Sequence, residues 1–134
     1  MKKILAFAGS NSKNSINKKL LNYVVGRIEN HEVKVLELND YEFPMFGVDY
    51  ENEKGYPADI QVLKMLIKEV DALVIAVNEH NGGPSAYFKN IIDWLSRMEL
   101  KFLQDKKVLL MSTSPGKRGA ASSLEYYKNV LPHF

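Results

Sequence analysis

The sequence contains no cysteine, and this absence excludes disulfide bonds, thiol catalysis and cysteine metal sites. No apolar run approaches the roughly 20 residues that a membrane helix needs, so we expect no membrane partner. The 18 basic and 16 acidic residues leave a net charge of only +2, without a dense basic block. A nucleic-acid partner is therefore not expected. The lack of cysteine fits a reducing compartment, and we expect a cytoplasmic protein.

Two glycine-rich nucleotide motifs are also absent. Neither G-x-G-x-x-G nor G-x-x-x-x-G-K-[ST] occurs in the chain, so the dinucleotide fingerprint and the P-loop are both excluded. Glu79 and His80 are adjacent, which invites a metal site or an acid–base pair. No second histidine stands at helical spacing from them, and no metal site is predicted.

What the sequence does contain is an alternation of apolar runs with helical stripes, which favours one α/β domain over residues 1–134. The middle run, "ALVIAV", is the most apolar and predicts a central parallel strand. A parallel sheet with helices on both faces follows, with ligands expected beyond the carboxyl ends of its strands. The runs predict strands at 3–8, 33–38, 72–77 and 107–111, helices over 16–28, 60–70, 88–98 and 120–131, and a loop from 39 to 57.

The first of three polar loops at strand ends reads "GSNSKNS" and starts at Gly9. Glycine permits a sharp turn there, and Ser15 is placed to cap the helix that follows. Ser10, Ser12 and Asn17 add hydrogen-bonding side chains beside a helix N-terminus, which suits an anion such as phosphate. An ordinary serine-rich turn with a capping serine explains the same residues, and both interpretations stay open at this point.

The second loop, "NEHNGGPS", follows the most apolar strand. Gly82 and Gly83 allow a flat ligand to approach the backbone closely. Asn78 and Asn81 can bind the polar edge of a heterocycle, and His80 can lie against a ring face. A lone histidine in a loop is more commonly a surface side chain, so the neighbouring glycines and asparagines carry the ligand hypothesis.

The third loop, "STSPGKRGA", follows the last strand. Pro115 and Gly116 predict a turn, and Ser112, Thr113 and Ser114 can close over the same ligand. A plain strand-to-helix turn would use the same proline and glycine, and that alternative also stays open.

Together the loops resemble the NADPH-dependent FMN reductase family, a branch of the flavodoxin-like fold. The first is similar to the family's G-S-x-x-x-x-S-x-N-x-x-L, with Leu20 as its last residue. The second resembles P-E-Y-N-G followed by K-N-x-x-D-W, here "NEHNG" and "KNIIDW", and the third resembles S-P-G-x-x-G, here "SPGKRG". Asn78, His80 and Ala120 depart from the family's proline, tyrosine and glycine.

The resemblance implies a flavodoxin-like FMN enzyme that uses NADPH or NADH and passes electrons to a small acceptor. Quinones, azo or nitro compounds, metal oxyanions and free flavin are the acceptors it suggests. The flavin carries the chemistry, so no catalytic side chain is predicted. The implied phosphate contacts are Ser10, Ser12, Ser15, Ile16 and Asn17; the implied ring contacts are Asn78, Glu79, His80, Asn81 and Gly82 on one side and Ser112, Thr113, Ser114 and Gly119 on the other.

Two alternatives remain open from the sequence. One is a flavodoxin-like electron carrier, although such carriers tend to be acidic and this chain is mildly basic. The other is a shortened homologue without flavin turnover, because the family's fifth strand and final helix have no counterpart before the chain stops at "LPHF".

The order 2-1-3-4 is predicted for the four strands, with the fourth at an edge that we expect to be covered by the last helix, another subunit or further chain. A homodimer or homotetramer is also expected. Trp94 stands on a second apolar stripe of the helix at 88–99, where a partner subunit would pack.

Overall fold

The computed structural model describes all residues from 1 to 134. Four strands form one parallel sheet in the order β2-β1-β3-β4, which confirms the predicted order and the flavodoxin-like class. The strands are β1 (Lys3–Ala8), β2 (Glu32–Val35), β3 (Ala72–Val77) and β4 (Lys107–Ser112). The helices are α1 (Ile16–Val25), α2 (Val48–Lys54), α3 (Ala58–Lys68), α4 (Ala86–Met98) and α5 (Ala121–Val130).

The two central strands carry the core of the sheet. β1 and β3 are buried along nearly their whole length, as expected for strands that helices cover on both faces. They pair in register from Ile4 opposite Ala72 to Ala8 opposite Ala76. The carboxyl ends of both strands therefore meet at one edge of the sheet, where the first two polar loops begin.

Helices cover both faces, as predicted, but unequally. On one face α1 packs Leu21 against Ala6, Val74 and Ala76 in a small cluster. On the other face α3, α4 and α5 contribute to a much larger cluster of 19 buried residues. No helix of the structure combines the length and apolar composition that a bilayer crossing requires.

The segment from 39 to 57, predicted to be a loop, contains α2 (Val48–Lys54). No residue of this helix is buried, so its sequence "VDYENEK" shows no apolar stripe by which it could be recognised. Gly55 ends it with φ of 72°, a conformation that glycine adopts without strain. A 3-10 turn at Leu38–Asp40 likewise occupies the end of the predicted second strand.

Trp94 does not face a partner subunit, because its own chain buries it completely. Its indole Nε1 donates to the carbonyl of Pro44 at 2.7 Å, and its ring meets Phe46 edge-on. Asn90 fixes the same segment, since its Oδ1 accepts from the Phe46 N–H at 2.7 Å. The argument from a second apolar stripe is therefore wrong: residues 43–46 cover this side of α4, and the predicted interface loses its support.

No strand of this chain pairs with the outer edge of β4. The Lys107 N–H donates to the Asp71 carbonyl, on the β3 side of the strand. Backbone groups alternate in direction along a strand, so the N–H and C=O groups of Val108 and Leu110 point away from β3. α5 packs on one face of β4 and leaves a groove of about 640 Å³ beside the strand. On the other face Leu109 is 53% exposed. The last helix therefore covers one face of β4, but the outer edge of the strand has no partner in this chain.

We expect the amides of β4 to exchange with solvent in an alternating pattern. Leu109 and Met111 donate to β3 and will be protected, whereas Val108 and Leu110 will exchange at rates close to those of an open loop. Amide exchange followed by NMR in dilute protein measures all four. Equal protection at the four positions would contradict an open edge, and protection that falls on dilution would identify a second molecule as the cover.

Candidate functional site

The first loop ends in a helix whose N-terminal N–H groups are free. Ser15 caps α1, as predicted, because its Oγ accepts from the Lys18 N–H at 3.3 Å. The N–H groups of Ser15, Ile16 and Asn17 make no hydrogen bond within the chain. Ser10 lies just before them, 3% exposed. Three free donors at the positive end of a helix form a potential anion site.

The charge next to this site is already partly neutralised. The Lys18 ammonium binds the carboxylate of Glu37, with both oxygens at 2.7 Å. Burial raises the pKa of Glu37, but hydrogen bonds from Lys18 and Asn39, together with the Lys18 charge, lower it below its usual value on balance. Burial, followed by the Glu37 charge, raises the pKa of nearby Tyr87 to about 12. An anion at the helix start would therefore be held mainly by backbone N–H groups and hydroxyls.

Asn17 uses its side chain to join the first loop to the third. Its Nδ2 donates to the Thr113 carbonyl at 3.2 Å, and its Oδ1 accepts from the Thr113 N–H at 3.0 Å. Asn17 is only 3% exposed. Its amide thus uses one N–H and its oxygen on the backbone of a residue 96 positions away, and its own backbone N–H remains available to an anion.

Gly9 matters for packing rather than for a sharp turn. Its φ is not positive, but a Cβ built on it would stand 2.7 Å from Cγ of Phe88. Its N–H donates to the Ala76 carbonyl at 2.8 Å, so the backbone of the first loop stays close to β3. Ser85, the N-cap of α4, accepts from the Phe88 N–H and reaches the Gly9 carbonyl at 3.4 Å. This contact ties the second loop to the first.

The second loop is a small hairpin in which Glu79–His80 pairs with Gly83–Pro84. Asn81 and Gly82 form its tip with φ of 53° and 75°, the paired left-handed geometry of a tight two-residue turn. A Cβ added to Gly82 or Gly83 would meet nothing within 4 Å. The hairpin therefore presents bare backbone to open space.

Asn78 lies at the base of this hairpin with a polar atom that has no partner. Its Oδ1 is buried and accepts no hydrogen bond in the chain, which is unusual for a buried acceptor. A ligand N–H or an ordered water would satisfy it. His80, in contrast, is exposed at the hairpin.

The third loop is closed by its own hydroxyls. Ser112 Oγ donates to the Gly119 carbonyl at 2.7 Å, and Ser114 Oγ interacts with both backbone groups of Gly116. Gly119 and Ala120 then adopt left-handed φ values of 60° and 63° before α5 begins. Glu79 of the second loop reaches across and accepts from the Ser123 N–H at 2.9 Å.

The three loops are therefore linked pairwise by three side chains: Asn17, Ser85 and Glu79. All the predicted site residues lie in these loops or at their helix starts, and none lines the groove beside β4. The sequence reasoning missed Ser85 and Ser123 as members of the site. Ser85 was detectable, because serine three residues before Phe88 at the start of a helical stripe is a typical N-cap.

The "KNIIDW" segment supports the site indirectly, by holding α4. Asn90 and Trp94 hold residues 43–46 in place, as described above, while Lys89 forms an ion pair with Asp93 one turn later. These residues contact the fold rather than the open space above the loops. Their contribution is to fix α4, which Ser85 caps.

Comparison with known proteins agrees with this fold. The family model for NADPH-dependent FMN reductase matches residues 2–134, and the chain belongs to that family. A quinone reductase of Escherichia coli is 33% identical over 90 residues, which make up 67% of this chain and 48% of the relative. The chain thus matches about half the length of that curated relative.

Two further relatives cover more of the chain. An NAD(P)H-dependent FMN reductase of Pseudomonas aeruginosa is 27% identical over 130 residues, 96% of this chain and 69% of the relative. The solved structure of FerB, a flavoenzyme NAD(P)H:(acceptor) oxidoreductase from Paracoccus denitrificans, superposes with a TM-score of 0.82 at 29% identity. That superposition covers 99% of this chain and 72% of FerB.

We expect Asn17→Ala to destabilise the protein by about 1–3 kcal/mol, because it leaves both backbone groups of Thr113 without partners in a partly buried position. Urea denaturation measures the change. Asn14→Ala is the matched control, since Asn14 is exposed and its side chain makes no hydrogen bond. Equal stability of the two variants would contradict the role given to the Asn17 amide.

Proposed function

We propose that the chain is one flavodoxin-like domain that binds FMN across the three loops and transfers electrons from NADPH or NADH to a small acceptor. The observation that carries the proposal is the pair of backbone features at one sheet edge: N–H groups without a partner at the start of α1 and bare glycine backbone at the hairpin. The printed names of the relatives, quinone reductase, FMN reductase and acceptor oxidoreductase, support the same activity.

The first feature fits the phosphate of FMN. The N–H groups of Ser15, Ile16 and Asn17 are free, and the hydroxyls of Ser10 and Ser15 each keep a proton to donate. The first turn of α1 carries no acidic residue, and the nearby Glu37 carboxylate is neutralised by its ion pair with Lys18. Ser12 is exposed nearby and can add a further hydroxyl.

The second feature fits a flat ring. Open space lies above Gly82, Gly83 and Gly119, so a planar group can approach the backbone of the second and third loops. The unpaired Oδ1 of Asn78 is an acceptor for a ring N–H. His80 and Asn81 stand exposed beside this space, within the hairpin that the ring would contact.

When bound, FMN supplies the hydride and electron transfer that protein side chains cannot perform. The residues of this chain bind and orient it: α1 holds the phosphate, and the second and third loops position the ring. Quinones, azo or nitro compounds, metal oxyanions and free flavin are the acceptors included in the proposal. We also propose a cytoplasmic location, because NADPH and NADH are supplied there.

The direct test is to identify the flavin and measure its turnover. We expect purified protein to bind FMN with flavin absorbance in the blue, and to oxidise NADPH or NADH when a quinone is added. FMN is expected rather than FAD, because the site offers one anion position and no dinucleotide fingerprint. Recovery of FAD alone after extraction would overturn the cofactor assignment, and FMN binding without nucleotide oxidation would favour an electron carrier.

We expect Ser15→Asp to weaken FMN binding more than a hundredfold while α1 stays capped. Aspartate is as good an N-cap as serine, but its charge would face the phosphate at a cost of about 4 kcal/mol for unit charges about 4 Å apart in a surface-like dielectric. Fluorescence titration measures the affinity. Asn129→Asp, which adds the same charge on the exposed end of α5, is the control, and equal affinity in both variants would refute the phosphate position.

A homodimer or homotetramer is the assembly we propose, although Trp94 no longer supports it. What supports it is a pair of exposed apolar side chains one turn apart on α3, Val62 at 41% and Met65 at 62% exposure. These two side chains offer apolar area that a second subunit could cover. Light scattering at micromolar concentration is expected to give a multiple of 15.3 kDa, and a monomeric mass would contradict the assembly.

A further inference from the structure

The helix that follows the third loop has no cap of its own. Ala120 occupies the N-cap position of α5 but carries no side-chain acceptor, and no acidic residue stands in the first turn. The Ser123 N–H, in that turn, would otherwise lack a partner. Glu79 of the hairpin supplies the missing acceptor through Oε1 at 2.9 Å. The carboxylate also lies at the positive end of the helix, where a negative charge is favourable.

The loop that this cap holds is strained. Ala120 adopts the left-handed region with φ of 63°, which is unfavourable for a residue with a Cβ. Gly119, directly before it, has φ of 60°, and its carbonyl is held by Ser112 Oγ. Such a backbone persists only where its surroundings fix it. On the α5 side the Leu124 N–H donates to the Ala120 carbonyl, and Glu79 provides the side-chain contact from another loop.

We infer that Glu79 is a positioning residue, which sets the third loop against the hairpin by capping α5 from a neighbouring loop. The inference rests on the proposed function, because the space between those two loops is where the FMN ring is placed. It also changes the role expected for Glu79 from the sequence: its carboxylate acts on the protein, and ring contact is left to its backbone and its neighbours.

With this contact, each pair of the three loops around the site is joined by one side chain. Asn17 joins the first and third loops, and Ser85 joins the first and second. Both of those side chains are 3% exposed. Glu79 is only half-buried and provides the single charged link, so it can be altered without opening the core.

The experiment compares four variants with wild-type protein. Glu79→Ala removes the acceptor, and Glu79→Gln keeps an oxygen in the same place without the charge. Glu125→Ala removes one carboxylate from the exposed side of the same helix and serves as the control. Glu79→Ala combined with Ala120→Gly relieves the left-handed strain without restoring the link. Each protein is measured for thermal stability, exchange of the Ser123 amide without flavin, and affinity for FMN.

We expect Glu79→Ala to expose the Ser123 amide and to weaken FMN binding by about tenfold, because the binding-competent loop becomes a minor state. Glu79→Gln should stay within about threefold of wild type, since a hydrogen bond remains possible. The double variant should regain thermal stability while its affinity stays low. That separation is the result that a merely structural role for Glu79 would not produce.

Three outcomes would overturn the inference. The first is equal Ser123 exchange in Glu79→Ala and Glu125→Ala, which would show that the link is not formed. The second is wild-type FMN affinity in Glu79→Ala. The third is recovery of stability and affinity together in the double variant. Failure of the proposed function has a different signature, because wild-type protein would then bind no FMN while Ser123 exchange still depended on Glu79.

Discussion

The pairing of β1 with β3 is the constraint on which the rest of the molecule depends. These two strands run side by side in register and are buried on both faces, so their carboxyl ends are fixed next to each other. The ladder continues beyond β1, since Gly9 donates to the Ala76 carbonyl. Phe88 fills the space that Gly9 leaves by having no side chain. The pairing of these two apolar strands thus sets the positions of the first two loops and of the start of α4.

At the sheet edge, side chains and backbone groups have different roles. Side chains in the loops are used mainly to hold the loops together, through Asn17, Ser85 and Glu79. Backbone groups are left free, as N–H donors at the start of α1 and as bare backbone at the hairpin. A site built from backbone donors has low rotational freedom, so little entropy is lost when a ligand is ordered there.

The fold was predictable because its signals are local. Buried runs marked β1 and β3, helical stripes marked α3 and α4, and a serine marked the cap of α1. The exposed helix α2 gave no such signal. The predicted role of Trp94 was wrong, and that of Asn17 was incomplete, for a different reason. Their partners, Pro44 and Thr113, lie 50 and 96 residues away. Side-chain contacts at that separation are set by tertiary structure, which periodicity cannot reveal.

The three loops differ in how the helices that follow them are capped. α1 and α4 each begin with a serine that caps its own helix, so the first and second loops end in locally stable turns. α5 begins at a left-handed alanine and takes its acceptor from the hairpin. The third loop is closed internally by Ser112 and Ser114, but its junction with α5 takes a hydrogen bond from outside the loop. The position of this junction relative to the hairpin therefore depends on one side chain of the hairpin itself.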